Sequence, residues 1–327
     1  MNALLETELC VATRRPQTTR HAILGIVTEP NRQLCLVDTP GVIDEPAYKL
    51  QEGMMEAVMG AFHDSDALLV VTDLFSTPIP DDDLFAKVLR SEKPVIVVIN
   101  KIDLVTRANP DEKRADGKTA TVEEAVARWR SLLPQALVIL PISAGEGSHG
   151  AGVDLLRKIL MGKEDVPAAL RALGRPVDGM FRDGIHVVTE SECKHLLPLG
   201  PPLYDEDMLT DRSERFFSSE IIRAAIFQNL RKEVPYCCEV RIDSFKEPKE
   251  GDRKPVVHIS ASVVVERESQ KGIVVGRGGE IIKTIGVEAR EKLEEFLQAR
   301  VYLELQVRVE KDWRKNEDIL KQYGYIR

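Results

Sequence analysis

Val95-Ile96-Val97-Val98-Ile99-Asn100-Lys101-Ile102-Asp103 joins five consecutive β-branched residues to a short polar, acidic tail. A strand apolar at every position is buried on both faces, which marks a parallel sheet packed between helices. A carboxylate just beyond such a strand lies in the crevice where open α/β sheets bind ligands. Outward from this stretch, apolar runs predict further strands at Ala22–Val27, Gln33–Val37, Ala67–Val71 and Leu137–Leu140. Amphipathic stretches between them predict helices at Tyr48–Ala61, Asp82–Ser91, Thr121–Leu133 and Val153–Leu160. The alternation gives an α/β fold with a mostly parallel sheet.

Four short motifs fall at the ends or flanks of these strands. Asp38-Thr39-Pro40-Gly41 follows the second, where a carboxylate holds Mg²⁺ through water and a glycine amide reaches a γ-phosphate. Asn100-Lys101-Ile102-Asp103 follows the fourth. Asp103 there can accept from both N1–H and N2–H₂ of guanine; adenine offers no such pair of donors, a difference of ~1–3 kcal/mol. Ser143-Ala144 follows the fifth, with the Ala144 amide facing guanine O6. Thr18 or Thr19, just before the first, supplies a hydroxyl for Mg²⁺. Taken singly, each also reads as a turn or a helix cap. Their order and placement together indicate a GTP site; either threonine could serve, and Asp38 with Thr19 is the expected pair on Mg²⁺ where a phosphate-binding loop is present.

The last third has another rhythm. Ser218–Arg231 is an amphipathic helix, Cys237–Phe245 and Val256–Arg267 are strands, a helix spans about Gly286 to Gln298, and Val301–Val309 is a strand. Gly276-Arg277-Gly278-Gly279 lies between the apolar run Ile273–Val275 and Ile281, Ile282 and Ile285. A Gly-x-x-Gly loop between helices lets an RNA backbone approach with no Cβ in the way. Arg277, Lys271 and Lys283 supply charge for phosphates. A dinucleotide fingerprint would want a third glycine where Ile281 stands.

Arg15–His21, Asp-Thr-Pro-Gly and Asn-Lys-Ile-Asp resemble the Era family of GTPases, as do Ser213–Phe217 with Glu220–Arg223 and Val234-Pro235-Tyr236. The resemblance covers nearly the whole chain except about 162–195. It implies a G domain, a type 2 KH domain, GTP or GDP with Mg²⁺, and a role in small-subunit assembly. The implied partner is the small ribosomal subunit, through its RNA near the 3′ end, and not DNA. Many members carry a lysine in the loop's third place, where this chain has Gly278, which shifts weight to Arg277. An apolar residue, Val42, stands where Ras-like enzymes orient water with glutamine, implying slow hydrolysis. The expected boundaries are 1–161 for the G domain, 162–210 for an insertion and a linker containing Gly200-Pro201-Pro202, and 211–327 for the KH domain.

One family motif is missing: the sequence contains no Gly-x-x-x-x-Gly-Lys-[Ser/Thr]. Its amides, lysine and hydroxyl cradle phosphates and Mg²⁺. The strand before it is central, and losing three or four buried side chains at ~1.5–3 kcal/mol each rivals a domain's net stability. The expected fold class is therefore an incomplete P-loop NTPase-type α/β domain followed by an α+β KH domain, truncated at the N-terminus. GTP binding is expected to be weak or absent, and the chain not competent for hydrolysis. The alternative is a nucleotide-independent KH protein with a decayed G domain.

The remaining composition is that of an ordinary globular protein, 43% hydrophobic and 30% charged. No apolar run approaches the ~18 residues of a transmembrane helix. The start lacks a basic head and cleavage site, so a soluble intracellular protein is expected, cytoplasmic or in a plastid or mitochondrial matrix. A net charge of −8 argues against wholesale coating of nucleic acid but permits a local site. The five cysteines have no framework spacing, and Cys193, His195 and His186 lack the paired ligands of structural zinc.

Overall fold

The computed structural model describes residues 1–13, 15, 17–76, 83–106, 121–163, 197–248 and 255–326. Most of the expected insertion, with His186, Cys193 and His195, lies outside them. The chain forms two compact units, one of residues 1–7, 26–36 and 62–209, the other of residues 8–25, 37–61 and 210–327.

The hairpin of β1 (Ile23–Glu29) and β2 (Arg32–Asp38) turns through Pro30-Asn31, with Asn31 left-handed at φ 63°. A proline followed by an asparagine suits such a turn, because proline presets the first φ and asparagine tolerates the second. Gln33 ties the hairpin to a later segment, accepting from the amides of Leu203 (2.8 Å) and Tyr204 (3.0 Å) and donating to the Tyr204 carbonyl (2.9 Å).

In the first unit β3 (Leu68–Asp73), β4 (Val95–Asn100) and β5 (Val138–Pro141) pair in parallel, with β4 between its neighbours. Val95, Ile96, Val97, Val98 and Ile99 are 0–1% exposed. Against one face pack Val88 of α3 (Asp83–Arg90) and Ala125, Val126 and Trp129 of α5 (Val122–Leu132). Thr121 starts α5, its hydroxyl accepting from the Glu124 amide at 3.2 Å. Between these lies a single turn, α4 (Asp103–Thr106), and after β5 comes α6 (Val153–Leu160); α1 (Asn2–Leu5) opens the chain and α2 (Lys49–Asp64) follows β2.

The second unit carries α7 (Glu214–Asn229), β6 (Glu239–Lys246), β7 (Val256–Val265), α8 (Glu268–Val275), α9 (Glu280–Leu297) and β8 (Arg300–Val309). Its sheet runs β6-β7-β8, antiparallel and then parallel. The helices cover one face through Ile222, Ile226, Val274, Ile285 and Leu293. On the other, Val264 is buried among Leu50, Met54, Trp313, Leu320 and Tyr325, with Leu320 on the last helix, α10 (Glu317–Gln322). Gly53 of α2 fits here because a Cβ would meet the Tyr325 carbonyl at 2.7 Å.

One long helix begins earlier than expected. The sequence reading starts it near Gly286, whereas α9 starts at Glu280 and carries that glycine inside. A Cβ on Gly286 would meet Leu305 of β8 at an ordinary contact distance of 3.7 Å, so nothing at this glycine breaks the helix or starts it.

Candidate nucleotide and RNA sites

At the end of β4, Asn100 Oδ1 accepts from the amides of Lys101 (2.8 Å) and Ala144 (2.9 Å). One side chain thereby joins the turns after β4 and β5. Lys101 takes the left-handed conformation at φ 63°, rare for a residue with a side chain. Its ammonium reaches Asp73 Oδ2 at 2.7 Å. The other oxygen of Asp73 accepts from the Phe75 amide (3.0 Å) and the Ser76 amide and hydroxyl (both 2.7 Å). Burial alone would raise the Asp73 pKa, but Lys101 and Ser76 outweigh it and hold the carboxyl below its ordinary value. Ser143 Oγ donates to Asp103 Oδ1 at 2.7 Å.

Two residues missed in the sequence shape the Ser143-Ala144 turn. A Cβ on Gly150 would lie 1.7 Å from the Ser143 carbonyl oxygen, and Gly152 at φ 75° would meet the Pro141 carbonyl at 2.6 Å. The signal was the density of glycines at 145, 147, 150 and 152, which only the fold makes specific. Asp73 was likewise unmarked, since an acidic strand end has many roles. The Ala144 amide, expected to face a guanine carbonyl, is committed to Asn100 here.

Asn100, Lys101, Asp103, Ser143 and Ala144 belong to the first unit; Thr18, Thr19, Asp38 and Gly41 belong to the second. The threonines differ. Thr18 Oγ1 is occupied by Thr13 and by the Arg15 carbonyl at 3.0 Å. Thr19 instead hydrogen-bonds the Asp38 carboxyl, which the Cys10 thiol also meets. Burial raises the Asp38 pKa, an environment that a cation would relieve. Burial and Asp38 push the Cys10 thiol up to about 12, so it stays protonated. A carboxylate and a hydroxyl side by side are the hard oxygen ligands Mg²⁺ requires. Around Gly41, the space a side chain would fill is open.

In the glycine loop, α8 ends at Gly276 (φ 75°), and Gly278 (φ 62°) and Gly279 (φ 83°) lead into α9. All three occupy backbone that L side chains rarely adopt. Gly276 is also wedged, since a Cβ would lie 2.7 Å from Ile281 Cγ1. Gly278 and Gly279 face open space. Arg277 and Lys283 are exposed, and Lys271 is half-buried.

A family model described as "KH domain" matches residues 233–314, and one described as "50S ribosome-binding GTPase" matches residues 1–101. GTPase Era of Xylella fastidiosa strain M12 is 37% identical over 326 residues, covering 99% of this chain and 91% of that protein. The chain belongs to the Era family of GTPases. Chloroplastic GTPase ERA1 of Zea mays is 34% identical over 329 residues, 99% of this chain. The chain spans 66% of the length of that relative and 65% of the chloroplastic ERA-like GTPase of Oryza sativa. Among solved structures, Aquifex aeolicus Era bound to GDP·AlF4⁻ has a TM-score of 0.77 and 29% identity, covering 100% of this chain and 93% of its own. Era in complex with MgGDPNP and nucleotides 1506–1542 of 16S ribosomal RNA has a TM-score of 0.76, also at 29% identity.

These likenesses overturn the inference drawn from the missing glycine-lysine motif. An Era protein aligns over 99% of this chain and 91% of itself, and the GTPase match starts at residue 1. The expectations of a truncated protein, an incomplete P-loop-type domain, weak or absent GTP binding and lost competence therefore fall, as does the decayed-domain alternative. A domain of this kind is held by the packing of its whole sheet and helices and not by one loop. The parallel sheet keeps its buried central strand, and the turns after β4 and β5 are cross-linked through Asn100. Among the described residues, no helix is long and apolar enough to cross a membrane, and no group of three or more His, Cys, Asp or Glu is placed to hold a metal ion.

Proposed function

We propose that this Era-family chain binds and hydrolyses GTP and grips small-subunit ribosomal RNA near its 3′ end, acting in assembly of the small subunit. The observation that carries the RNA half is the Gly276–Gly279 backbone, with three left-handed glycines between two helices and open space over two of them. Relatives of this fold are solved with MgGDPNP and 16S RNA and with GDP·AlF4⁻, which supports both halves of the reading.

On the base side, Asp103 accepts from guanine N1–H and N2–H₂ while the Ser143 hydroxyl, at 2.7 Å, fixes its carboxylate. Asn100 holds the two turns in register, and Ala144 offers its amide to O6 by sharing or releasing its bond to Asn100. Lys101, anchored on Asp73, extends its aliphatic stem along the base. Taken by itself, the second unit carries Thr19 and Asp38, which would hold Mg²⁺, and Gly41, whose amide would be free to donate to a phosphate. When bound there, the ion would supply neutralising charge for phosphate oxygens. Val42, 45% exposed, has no group to orient a water, so turnover is slow without a partner.

Titration with a fluorescent GTP analogue tests the first half, where micromolar affinity is expected and none at millimolar protein would defeat it. For the second half, Gly279→Asp places a Cβ and a negative charge against a phosphate. Capture of a ribosomal RNA 3′-end oligonucleotide should fall at least tenfold by the size of such charge effects. Unchanged capture removes the loop from the site.

A further inference from the structure

A cavity of about 520 Å³ opens beside α8, and all its walls belong to the second unit. That size falls within the roughly 300–1,000 Å³ of small-molecule sites. Arg267, Gln270 and Ile273 line it at a spacing of three, so one face of α8 forms a wall. The loop's first glycine, Gly276, is one helical turn beyond Ile273, itself 47% exposed. From Gln270 to Gly276 the helix rises only ~9 Å.

The opposite walls come from Gln17, Gln51, Tyr48, Tyr236 and Arg314. Their chemistry is close to neutral. Arg314 is paired with Glu266 at 2.5 Å and lies over the Tyr48 ring, 4.5 Å from its centroid. Glu233 offsets Arg267. What remains is amide and hydroxyl groups beside an aliphatic surface. Such a lining suits the polar edge and flat face of a nucleobase, and it suits a bare phosphate poorly.

We propose that this cavity takes an unpaired base of the same RNA strand whose backbone crosses the glycine loop. The proposal rests on the RNA reading above and adds to it a second subsite, entered over Ile273. A strand held at Gly276–Gly279 and running along α8 delivers its next bases there.

The test uses the full chain and RNA of two lengths, the four nucleotides a Gly-x-x-Gly loop clamps and the same RNA extended at either end. Lengthening at one end should raise affinity about tenfold, the gain of one seated base. Ser269→Trp, which blocks the cavity from an exposed position on α8, should erase that gain and leave the short RNA bound as before. Gln51→Leu, at the other wall, should reduce the gain in part. Thermal unfolding of both variants confirms that they fold.

No gain on lengthening the wild-type ligand overturns the proposal, and so does an equal loss for both lengths in the Ser269 variant. Free mononucleotides that compete away the gain would assign the cavity to a small nucleotide and overturn the strand version. If the short RNA fails to bind wild-type protein, it is the loop reading that has failed.

Discussion

Arg20 donates to the Glu239 carboxylate at 2.9 Å, with 3% and 6% of the two side chains exposed. The same guanidinium donates to the carbonyls of Cys238 (2.9 Å) and Tyr236 (3.2 Å), and the Tyr325 hydroxyl donates to Glu239 at 2.6 Å. Two residues earlier, the Thr18 carbonyl accepts from Arg223 at 3.1 Å. Thr19 therefore sits between two residues anchored on the KH fold.

Removing one member of this buried pair leaves the other charge without its partner. Arg20→Ala should destabilise the protein by about 3–5 kcal/mol, whereas Arg20→Ala with Glu239→Gln should recover part of the loss. Urea unfolding measures both. A single variant within the error of wild type would show that the pair carries no weight.

His21 stacks on Tyr325 with 4.3 Å between ring centroids and meets Phe216 edge-on. Burial, then Arg223, Arg212 and Arg20, push its pKa down from 6.5 to about 3. As pH falls below about 6.5 the unfolded chain gains a proton that the folded chain refuses. Stability should therefore decline as pH drops toward 3, and His21→Phe should flatten that slope. Melting temperatures recorded from neutral to acid pH in both proteins decide it, and parallel curves would refute the assignment.

Asp103→Asn replaces an acceptor of two hydrogen bonds with a side chain that also donates. Guanine would lose a partner and xanthine, with a carbonyl at C2, would gain one. The preference should move from GTP toward XTP by ~1–3 kcal/mol, about 5- to 150-fold. Competition between the two nucleotides measures the ratio, and an unmoved ratio would exclude Asp103 from the base.

Gly150→Ala forces a Cβ to within 1.7 Å of the Ser143 carbonyl unless the turn shifts. Ser143 would then lose its place against Asp103. Guanine-nucleotide affinity should fall together with the melting temperature of the first unit. By contrast Gly145→Ala, with nothing within 4 Å of the new Cβ, should leave both unchanged.

Much of this was legible in local pattern. The β-branched run Val95–Ile99 announced a central strand because side chains buried on both faces leave no polar positions. Gly276-Arg277-Gly278-Gly279 announced its loop because left-handed backbone selects glycine locally. The missing glycine-lysine motif misled because one loop was weighed against a whole domain, whose packing the residues alone do not display. Asp73 and the cavity beside α8 were invisible because Lys101 and the opposite cavity walls are distant in the chain, and Gly150 was one of several nearby glycines that only the folded turn tells apart.

By itself, the sequence determined the strand and helix order, the glycine loop and the order of the nucleotide motifs, all set by interactions between near neighbours in the chain. Only the tertiary structure decided which threonine meets Asp38, that Arg20 is spent on Glu239, and what α8 faces. Arg20 and Glu239 are brought together from 219 positions apart, and even the nearer Thr19 and Asp38 meet only in the folded chain; burial and hydrogen-bond geometry select among side chains that read alike in one dimension.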